Sequence, residues 1–344
     1  MTAIHHLSQL LTQAGCTFQI FDLGRRVSPI ATDIFQSIEK NQQPYPYPLQ
    51  HHAQFALAFR QPTETEPFIW LLKFPLDERG LLKSAAVGDF IRYVAEAMGQ
   101  QLTAPLSDER QKQLAANPYL FKPSEDKLAM LHAFLRLEQH LPPSHYYAQA
   151  RHYLSLQGDK QTWQQLGLQG FADIAVRLDN DNNATLVKEA LAQLPPPPLF
   201  ALLGCLEHVA LPTNIITSLG EMLEEGLNTA QPDHARITAL VRALAGARPD
   251  TLSHYLHLVL AHPLLNTADM LIAIAGRCWQ GLNEARVQQY LLRLAENGDQ
   301  ALFNALFADL VAIPTLRCHL LPLLHQPLPG TLQHALQNMQ STLH

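Results

Sequence analysis

The sequence contains few cysteines, and none of them is spaced in a way that suggests a disulfide or metal motif. The four residues, Cys16, Cys205, Cys278 and Cys318, are far apart, and no two form a C-x-x-C. A chain of 344 residues does not need disulfides to complete its core. The pattern therefore predicts buried thiols in a reducing compartment.

Long apolar runs and catalytic motifs are absent as well. No stretch reaches the ~20 apolar residues that a membrane-spanning helix needs, because Glu207 and Arg277 interrupt the best candidates. The segment Met1–Leu7 lacks the cationic and apolar regions of a signal peptide. Phosphate-loop, dinucleotide-binding, serine-hydrolase and zinc-protease motifs are missing. We expect a soluble, cytoplasmic protein without a cofactor or membrane insertion.

Charged residues are scarce, and the second part of the chain is acidic. They make up 16% of the sequence, against a usual ~25%. Residues 126–344 contain 13 Lys and Arg but 18 Asp and Glu. Nucleic acids are bound by cationic surfaces that displace counterions from phosphates. The charge balance predicts no nonspecific nucleic-acid binding.

Residues 1–101 mix strand and helix patterns. Apolar residues in Thr17–Leu23, Ala53–Arg60 and Pro67–Phe74 predict strands, and the last two would be joined as a hairpin by Gln61–Glu66. Helical spacing marks Ile4–Ala14, Ile30–Lys40 and Leu82–Gly99. The sequence predicts a small α+β domain with an antiparallel sheet over 1–101, followed by a polar, proline-containing linker over 102–123.

Residues 124–344 show only helical patterns. Helix pairs are predicted to begin at residues spaced about 33–38 positions apart, namely Asp159, Pro197, Asp233, Thr267 and Asp299. Each pair leaves an apolar stripe uncovered unless the next pair packs on it. We therefore predict an all-α helical-repeat domain, an α-solenoid, with an irregular helical bundle as the alternative.

The main candidate site lies in two charged turns of the N-terminal domain. One turn follows the first predicted strand and the other follows the most apolar one, and loops at strand ends often carry binding residues. The charged residues of these turns are Asp22, Arg25, Arg26, Asp77, Glu78 and Arg79. They would form a polar cluster at one edge of the sheet, with ordinary surface turns as the alternative.

Two weaker ligand patterns occur in the helical domain. His254 and His257 would share one helix face, where two imidazoles can chelate a transition metal, but no third ligand stands at a recognised spacing. Asp179–Asn183 resembles the start of a calcium loop, but Ala184 and Ala190 replace the required glycine and glutamate. Surface histidines and an interhelix turn are the favoured interpretations.

Several arginines fall in successive predicted helices: Arg236, Arg242, Arg248, Arg277, Arg286 and Arg293. If helix stacking aligned some of them on a concave face, they would bind acidic peptides or carboxylates. Scattered surface arginines are the alternative.

Phe18–Arg26 and Trp70–Leu81 resemble segments of an uncharacterised bacterial family of about this length, a domain of unknown function. The resemblance covers nearly the whole chain and is clearest in the N-terminal domain. It implies a bacterial cytoplasmic protein and supplies no functional residues. The helical domain also resembles HEAT-type repeats in its layout.

The leading functional hypothesis is a non-enzymatic scaffold or adaptor whose curved helical-repeat surface binds a protein or peptide partner. The alternative is an enzyme or ligand-binding protein with its polar site in the N-terminal domain. A third and weaker hypothesis is a metal protein that uses His254 and His257.

Overall fold

The computed structural model describes residues 4–98, 117–155 and 160–341. The chain divides into two compact units, of which the first comprises Met1–Ser124 with Ala312–Thr315 and the second comprises Glu125–Val311 with Leu316–His344. The first unit combines an antiparallel sheet with helices, and the second is helical over its described residues. The predicted fold class, α+β followed by all-α, is confirmed.

The sheet of the first unit has four antiparallel strands in the order β2-β1-β3-β4. The strands are β1 (Thr17–Asp22), β2 (Ser28–Ile30), β3 (His52–Arg60) and β4 (Phe68–Pro75). The three longer strands match the predicted ones, and β3 and β4 form the predicted hairpin. The additional edge strand β2 was not predicted, because three residues that include a proline are too short for a periodic signal.

Three helices, α1 (Leu7–Gln13), α2 (Thr32–Glu39) and α3 (Ser84–Met98), accompany this sheet. The core contains aromatic rings from the strands and helices, with centroids of Phe35 and Phe55 at 5.3 Å and of Phe74 and Phe90 at 5.9 Å. Part of the predicted linker lies along β4, where the Lys73 N–H donates to the Tyr119 carbonyl oxygen at 2.8 Å. Residues 102–116 of the predicted linker lie outside the described residues.

The α-helices that follow Ser124 within the described residues make up most of the second unit. They are α4 (Glu125–Glu138), α5 (Tyr146–Leu154), α6 (Leu168–Ala175), α7 (Asn183–Leu191), α8 (Pro196–Leu206), α9 (Thr213–Leu227), α10 (His234–Ala243), α11 (Pro249–Ala261), α12 (Ala268–Arg277), α13 (Glu284–Glu296), α14 (Gln300–Ala312), α15 (Pro314–Leu320) and α16 (Gly330–Ser341).

Side-chain caps mark the starts of three predicted helix pairs. The side chains of Asp233, Thr267 and Asp299 accept hydrogen bonds from backbone N–H groups three residues later, at 3.0, 3.3 and 2.9 Å. Capping satisfies a donor that the helix itself leaves free. These start positions agree with the sequence, whereas the predicted start at Asp159 lies outside the described residues.

Neighbouring helix pairs pack against one another in sequence. In a first row, α4 packs against α6, α6 against α8, α8 against α10, and α10 against α12. In a second row, α5 packs against α7 and α7 against α9; farther along, α11 packs against α13 and α13 against α16. This order buries the apolar stripes of successive pairs, including Leu202, Leu240 and Ile274.

None of the described helices is by itself both long and apolar enough to cross a membrane. One pair, Gln300–Ala312 with Pro314–His325, meets the length and composition requirements only when its two parts are combined across a bend of 120°.

Candidate functional site

The first predicted turn is organised around a buried carboxylate. Asp22, the last residue of β1, is 1% exposed. Its Oδ1 accepts hydrogen bonds from the Tyr45 hydroxyl at 2.6 Å and the Gly24 N–H at 3.2 Å, and its Oδ2 accepts from the Arg25 N–H at 3.2 Å. The Arg25 side chain is fully buried, and Arg26 is half-buried. The structure thus places these three charged residues in one largely buried turn.

Tyr45 connects this turn with the second one. Its hydroxyl bonds Asp22, while its backbone N–H donates to the Gly80 carbonyl oxygen at 2.9 Å. Burial, with the neighbouring Asp22 carboxylate, raises the pKa of Tyr45 well above its ordinary value, so the hydroxyl keeps its proton and donates. Tyr45 lies in the segment Pro44–Pro48, where alternating prolines favour an extended backbone. The sequence gives no sign that this segment connects the two charged turns.

The second turn is held by its own aspartate. The Oδ1 atom of Asp77 accepts hydrogen bonds from the backbone N–H groups of Arg79 at 2.9 Å and Leu81 at 2.8 Å. Its Oδ2 atom pairs with Arg79 Nη2 at 3.2 Å, although the Arg79 side chain is 77% exposed. Glu78 is exposed. A ligand-binding role for the two turns stays a prediction.

A cavity of about 380 Å³ in the first unit is lined by residues that include His5, His6, Glu39 and Ser84. Glu39 is buried, and its carboxylate accepts hydrogen bonds from the N–H groups of Leu7 at 2.6 Å and Ser8 at 3.2 Å, which begin α1. Burial raises the pKa of Glu39. The carboxylate therefore satisfies helix donors beside the cavity.

The strongest concentration of buried charge in the helical unit surrounds Glu207, directly after α8. Its side chain is fully buried. Arg242 Nε donates to Glu207 Oε2 at 2.7 Å, and Arg277 Nε donates to Glu207 Oε1 at 2.8 Å. The three residues are spaced 35 positions apart and lie at the ends of α8, α10 and α12, which pack in sequence. We call Glu207, Arg242 and Arg277 the Glu207 cluster.

Electrostatics keeps the Glu207 cluster cationic. Burial alone would raise the pKa of Glu207, but Arg242 and Arg277 lower it below its ordinary value, so the carboxylate is ionised. The neighbouring His208 is also buried, with Nε2 3.5 Å from Glu207 Oε1. Burial lowers the pKa of His208 to about 4, so its imidazole is neutral at pH 7. Two guanidinium charges against one carboxylate leave one net positive charge in the cluster, and Asp126 and Lys127, which act on it electrostatically, add one charge of each sign.

The side chains of both arginines are partly exposed. The side chains of Arg242 and Arg277 are 36% and 20% exposed. Arg277 Nη1 also lies 3.3 Å from the Gly276 carbonyl oxygen. Within the described part of the chain, Arg242 donates side-chain hydrogen bonds to Glu207 alone, and it does so through Nε rather than through its two terminal nitrogens. The cluster therefore presents oriented guanidinium groups that suit an anion.

Residues 2–340 match the family described as Protein of unknown function (DUF3549). The chain belongs to this family. The predicted resemblance to an uncharacterised family of about this length is confirmed, and the HEAT-type layout stays a prediction. No curated protein and no solved structure matches the chain.

The histidine pair of this DUF3549 member lies on α11. His257 Nδ1 is 3.0 Å from Arg286 Nη1 and 3.2 Å from Gln289 Oε1. The His254 ring contacts the Tyr255 ring, with centroids 5.3 Å apart. Among the described residues, no group of three or more His, Cys, Asp or Glu side chains is arranged to hold a metal ion. The metal role of His254 and His257 stays a prediction.

The calcium-like segment forms the turn between α6 and α7. Asn183 is buried, and its Nδ2 donates to the Arg177 carbonyl oxygen and to the Tyr147 hydroxyl, each at 2.8 Å. Asp181 accepts a hydrogen bond from the same hydroxyl at 2.9 Å. These side chains join the turn to neighbouring helices, in agreement with the predicted interhelix turn.

Sequence reasoning missed the Glu207 cluster, although it noted each member separately. Glu207 was considered only as an interruption of an apolar stretch, and Arg242 and Arg277 only as members of the arginine series. The available signal was their 35-residue spacing, which falls within the predicted interval between helix pairs. No comparable signal singled out His208.

Proposed function

We propose that this protein is a non-enzymatic interaction scaffold or adaptor that binds a protein or peptide partner through its helical unit. The observation that carries the proposal is the Glu207 cluster, where a buried carboxylate orients two partly exposed arginines. Arginine is enriched at protein interfaces, and a side chain that is already oriented loses less entropy on binding.

The order of helix packing supports a helical-repeat architecture of HEAT type as part of this proposal. Each helix from α4 to α10 in the first row buries its apolar stripe against the next member of that row. Stacks of this kind form extended surfaces that bind partners along their length. The Glu207 cluster joins three members of the row and would lie on such a surface.

The composition supports a bacterial cytoplasmic location and a protein partner. The four cysteines, all among the described residues, form no disulfide, and Cys16, Cys205 and Cys278 are buried, as expected in a reducing compartment. The acidic balance of residues 126–344 disfavours nonspecific binding to nucleic acid.

Site-specific photo-crosslinking of the full chain in its host cell tests the scaffold function. The photoreactive residue replaces Ala210 or Gln280, exposed positions close in sequence to Glu207 and Arg277. A matched control replaces Thr63, which is exposed in the β3–β4 loop. We expect Ala210 and Gln280 to capture the same protein, which also co-purifies stoichiometrically, and Thr63 not to capture it. No adduct at either helical position, or the same adducts at all three, would contradict the proposal.

The second candidate is an enzyme or ligand-binding protein with a polar site in the N-terminal unit. The cavity of about 380 Å³ supports it, since small-molecule pockets typically occupy roughly 300–1,000 Å³. Thermal unfolding with a metabolite library tests this function, monitored by the fluorescence of buried Trp70 in a protein with Trp163 and Trp279 replaced by Phe. A ligand that stabilises the wild type but not a Glu39→Gln variant would support it, and a library without stabilising ligands would count against it.

A further inference from the structure

We infer that the Glu207 cluster recognises a carboxylate on an acidic segment of the partner protein, an inference that rests on the proposed scaffold function. The cluster is preassembled, because each arginine uses Nε to bond a different oxygen of the fully buried Glu207 carboxylate. The guanidinium planes are therefore oriented before any ligand arrives. An incoming carboxylate meets donors whose positions are already defined.

The free donors suit a carboxylate in number and shape. Nη1 and Nη2 of Arg242 form the end of a planar fork, which matches the two oxygens of a carboxylate. Arg277 contributes its Nη2 atom, since its Nε bonds Glu207 and its Nη1 approaches the Gly276 carbonyl oxygen. One carboxylate can thus accept hydrogen bonds from the Arg242 fork, while the positive charge of Arg277 stabilises it electrostatically.

Charge balance favours a carboxylate over a phosphate. The Glu207 cluster carries one net positive charge, which a single carboxylate neutralises. A phosphate carries about −1.5 to −2 charges at pH 7, and residues 126–344 already contain 13 basic against 18 acidic residues. A phosphate would therefore leave excess negative charge on an acidic unit. A single Asp or Glu side chain of an extended partner segment fits the cluster better.

The test measures binding of a fluorescein-labelled hexaglutamate peptide to the full chain by fluorescence anisotropy at low salt. The main variant is Arg242→Gln, in which Arg277 still neutralises Glu207. Arg236→Gln is the matched control, because it removes the same charge from an exposed position on the same helix. We expect Arg242→Gln to weaken binding about tenfold or more, as for a lost charge-assisted hydrogen bond, and Arg236→Gln to change it less than twofold. Hexaglutamine should not bind.

Alternative results identify which proposal fails. Equal binding of hexaglutamate to the wild type and Arg242→Gln, or no binding at all, overturns the carboxylate inference. If crosslinks persist at Ala210 and Gln280 in that case, the scaffold function stands. Competition by inorganic phosphate as effective as that by hexaglutamate also overturns the inference, in favour of a phosphate ligand.

A measurement on the wild type covers the case in which Arg242→Gln does not fold. Arginine side-chain NMR records the Nε–H and Nη–H resonances of Arg242 and Arg277 during titration with hexaglutamate. We expect shifts of the Arg242 Nη–H resonances while its Nε–H resonance stays in place, because Nε is already bonded to Glu207. Unchanged Nη–H resonances at saturating peptide would refute the inference.

Discussion

Protonation of His208 should destabilise the helical unit in a defined pH range. The imidazole is buried beside Glu207, and burial lowers its pKa from 6.5 to about 4. Arg277 and Lys127 act in the same direction, whereas Glu207 and Asp126 oppose it. Because the unfolded chain binds this proton more tightly than the folded one, the stabilisation is complete above pH 6.5 and is lost as the pH falls towards 4.

The size of the effect follows from the pKa difference. A shift from 6.5 to about 4 corresponds to about 3 kcal/mol of unfolding free energy, at ~1.4 kcal/mol per pKa unit. Between pH 7 and pH 5 the linkage relation gives a loss of about 2 kcal/mol. His208→Gln removes the titrating group while keeping a polar side chain. Between pH 7 and pH 5, the unfolding free energy of this variant should therefore fall by about 2 kcal/mol less than that of the wild type.

The assay must isolate the helical unit and the histidine. Replacing Trp70 and Trp163 by Phe leaves the buried Trp279, which follows Arg277 closely in the chain, as the single fluorescent reporter. Urea unfolding of this protein, with and without His208→Gln, is then measured from pH 7 to pH 4. Groups that do not interact with His208 titrate equally in both proteins and cancel in the comparison. Parallel stability curves would refute the argument that His208 is buried and neutral.

Two further substitutions test close packing and a buried hydrogen bond by urea unfolding. Gly246→Ala should destabilise the helical unit by about 3 kcal/mol, because the added methyl group overlaps the Val209 carbonyl oxygen. The control Gly204→Ala has open space around its new methyl group and should stabilise α8 by ~0.5–1 kcal/mol. Equal effects of the two substitutions on the free energy of unfolding would contradict this geometry. Tyr45→Phe should destabilise the N-terminal unit by about 2 kcal/mol, because the buried Asp22 carboxylate loses its 2.6 Å donor. With Trp163 and Trp279 replaced by Phe, an unchanged urea midpoint in Trp70 fluorescence would show that this hydroxyl contributes no net stability.

Local periodicity was sufficient to predict most elements of the fold. The alternating strand patterns identified β1, β3 and β4, because each combines buried and less buried positions. The helix pairs were recognisable since residues such as Asp233 and Thr267 have a specific chemical role at helix starts. Strand β2 was not predicted, because its three residues carry no periodic pattern and form a strand only by pairing with β1 in the folded chain.

The Glu207 cluster could not be predicted in the same way, because it depends on long-range geometry. Arg242 and Arg277 lie 35 and 70 residues from Glu207. Their convergence requires the correct rotation of each helix relative to its neighbour, and sequence periodicity does not define that rotation. The Asp22 turn was easier to recognise because its charged residues are adjacent, but the donor from Tyr45 arrives 23 positions later.

The ion pair between Glu207 and Arg277 also has a consequence for how the helical unit comes apart. In a chain of stacked hairpins, coupling normally extends only to the adjacent hairpin, so the ends can fray one unit at a time. This bond reaches past α10 to the following pair. Loosening of α12 would withdraw one of the two cations from a buried carboxylate two hairpins away. The middle of the stack should therefore open as one cooperative block, with slower hydrogen exchange than hairpins that contact only their neighbours.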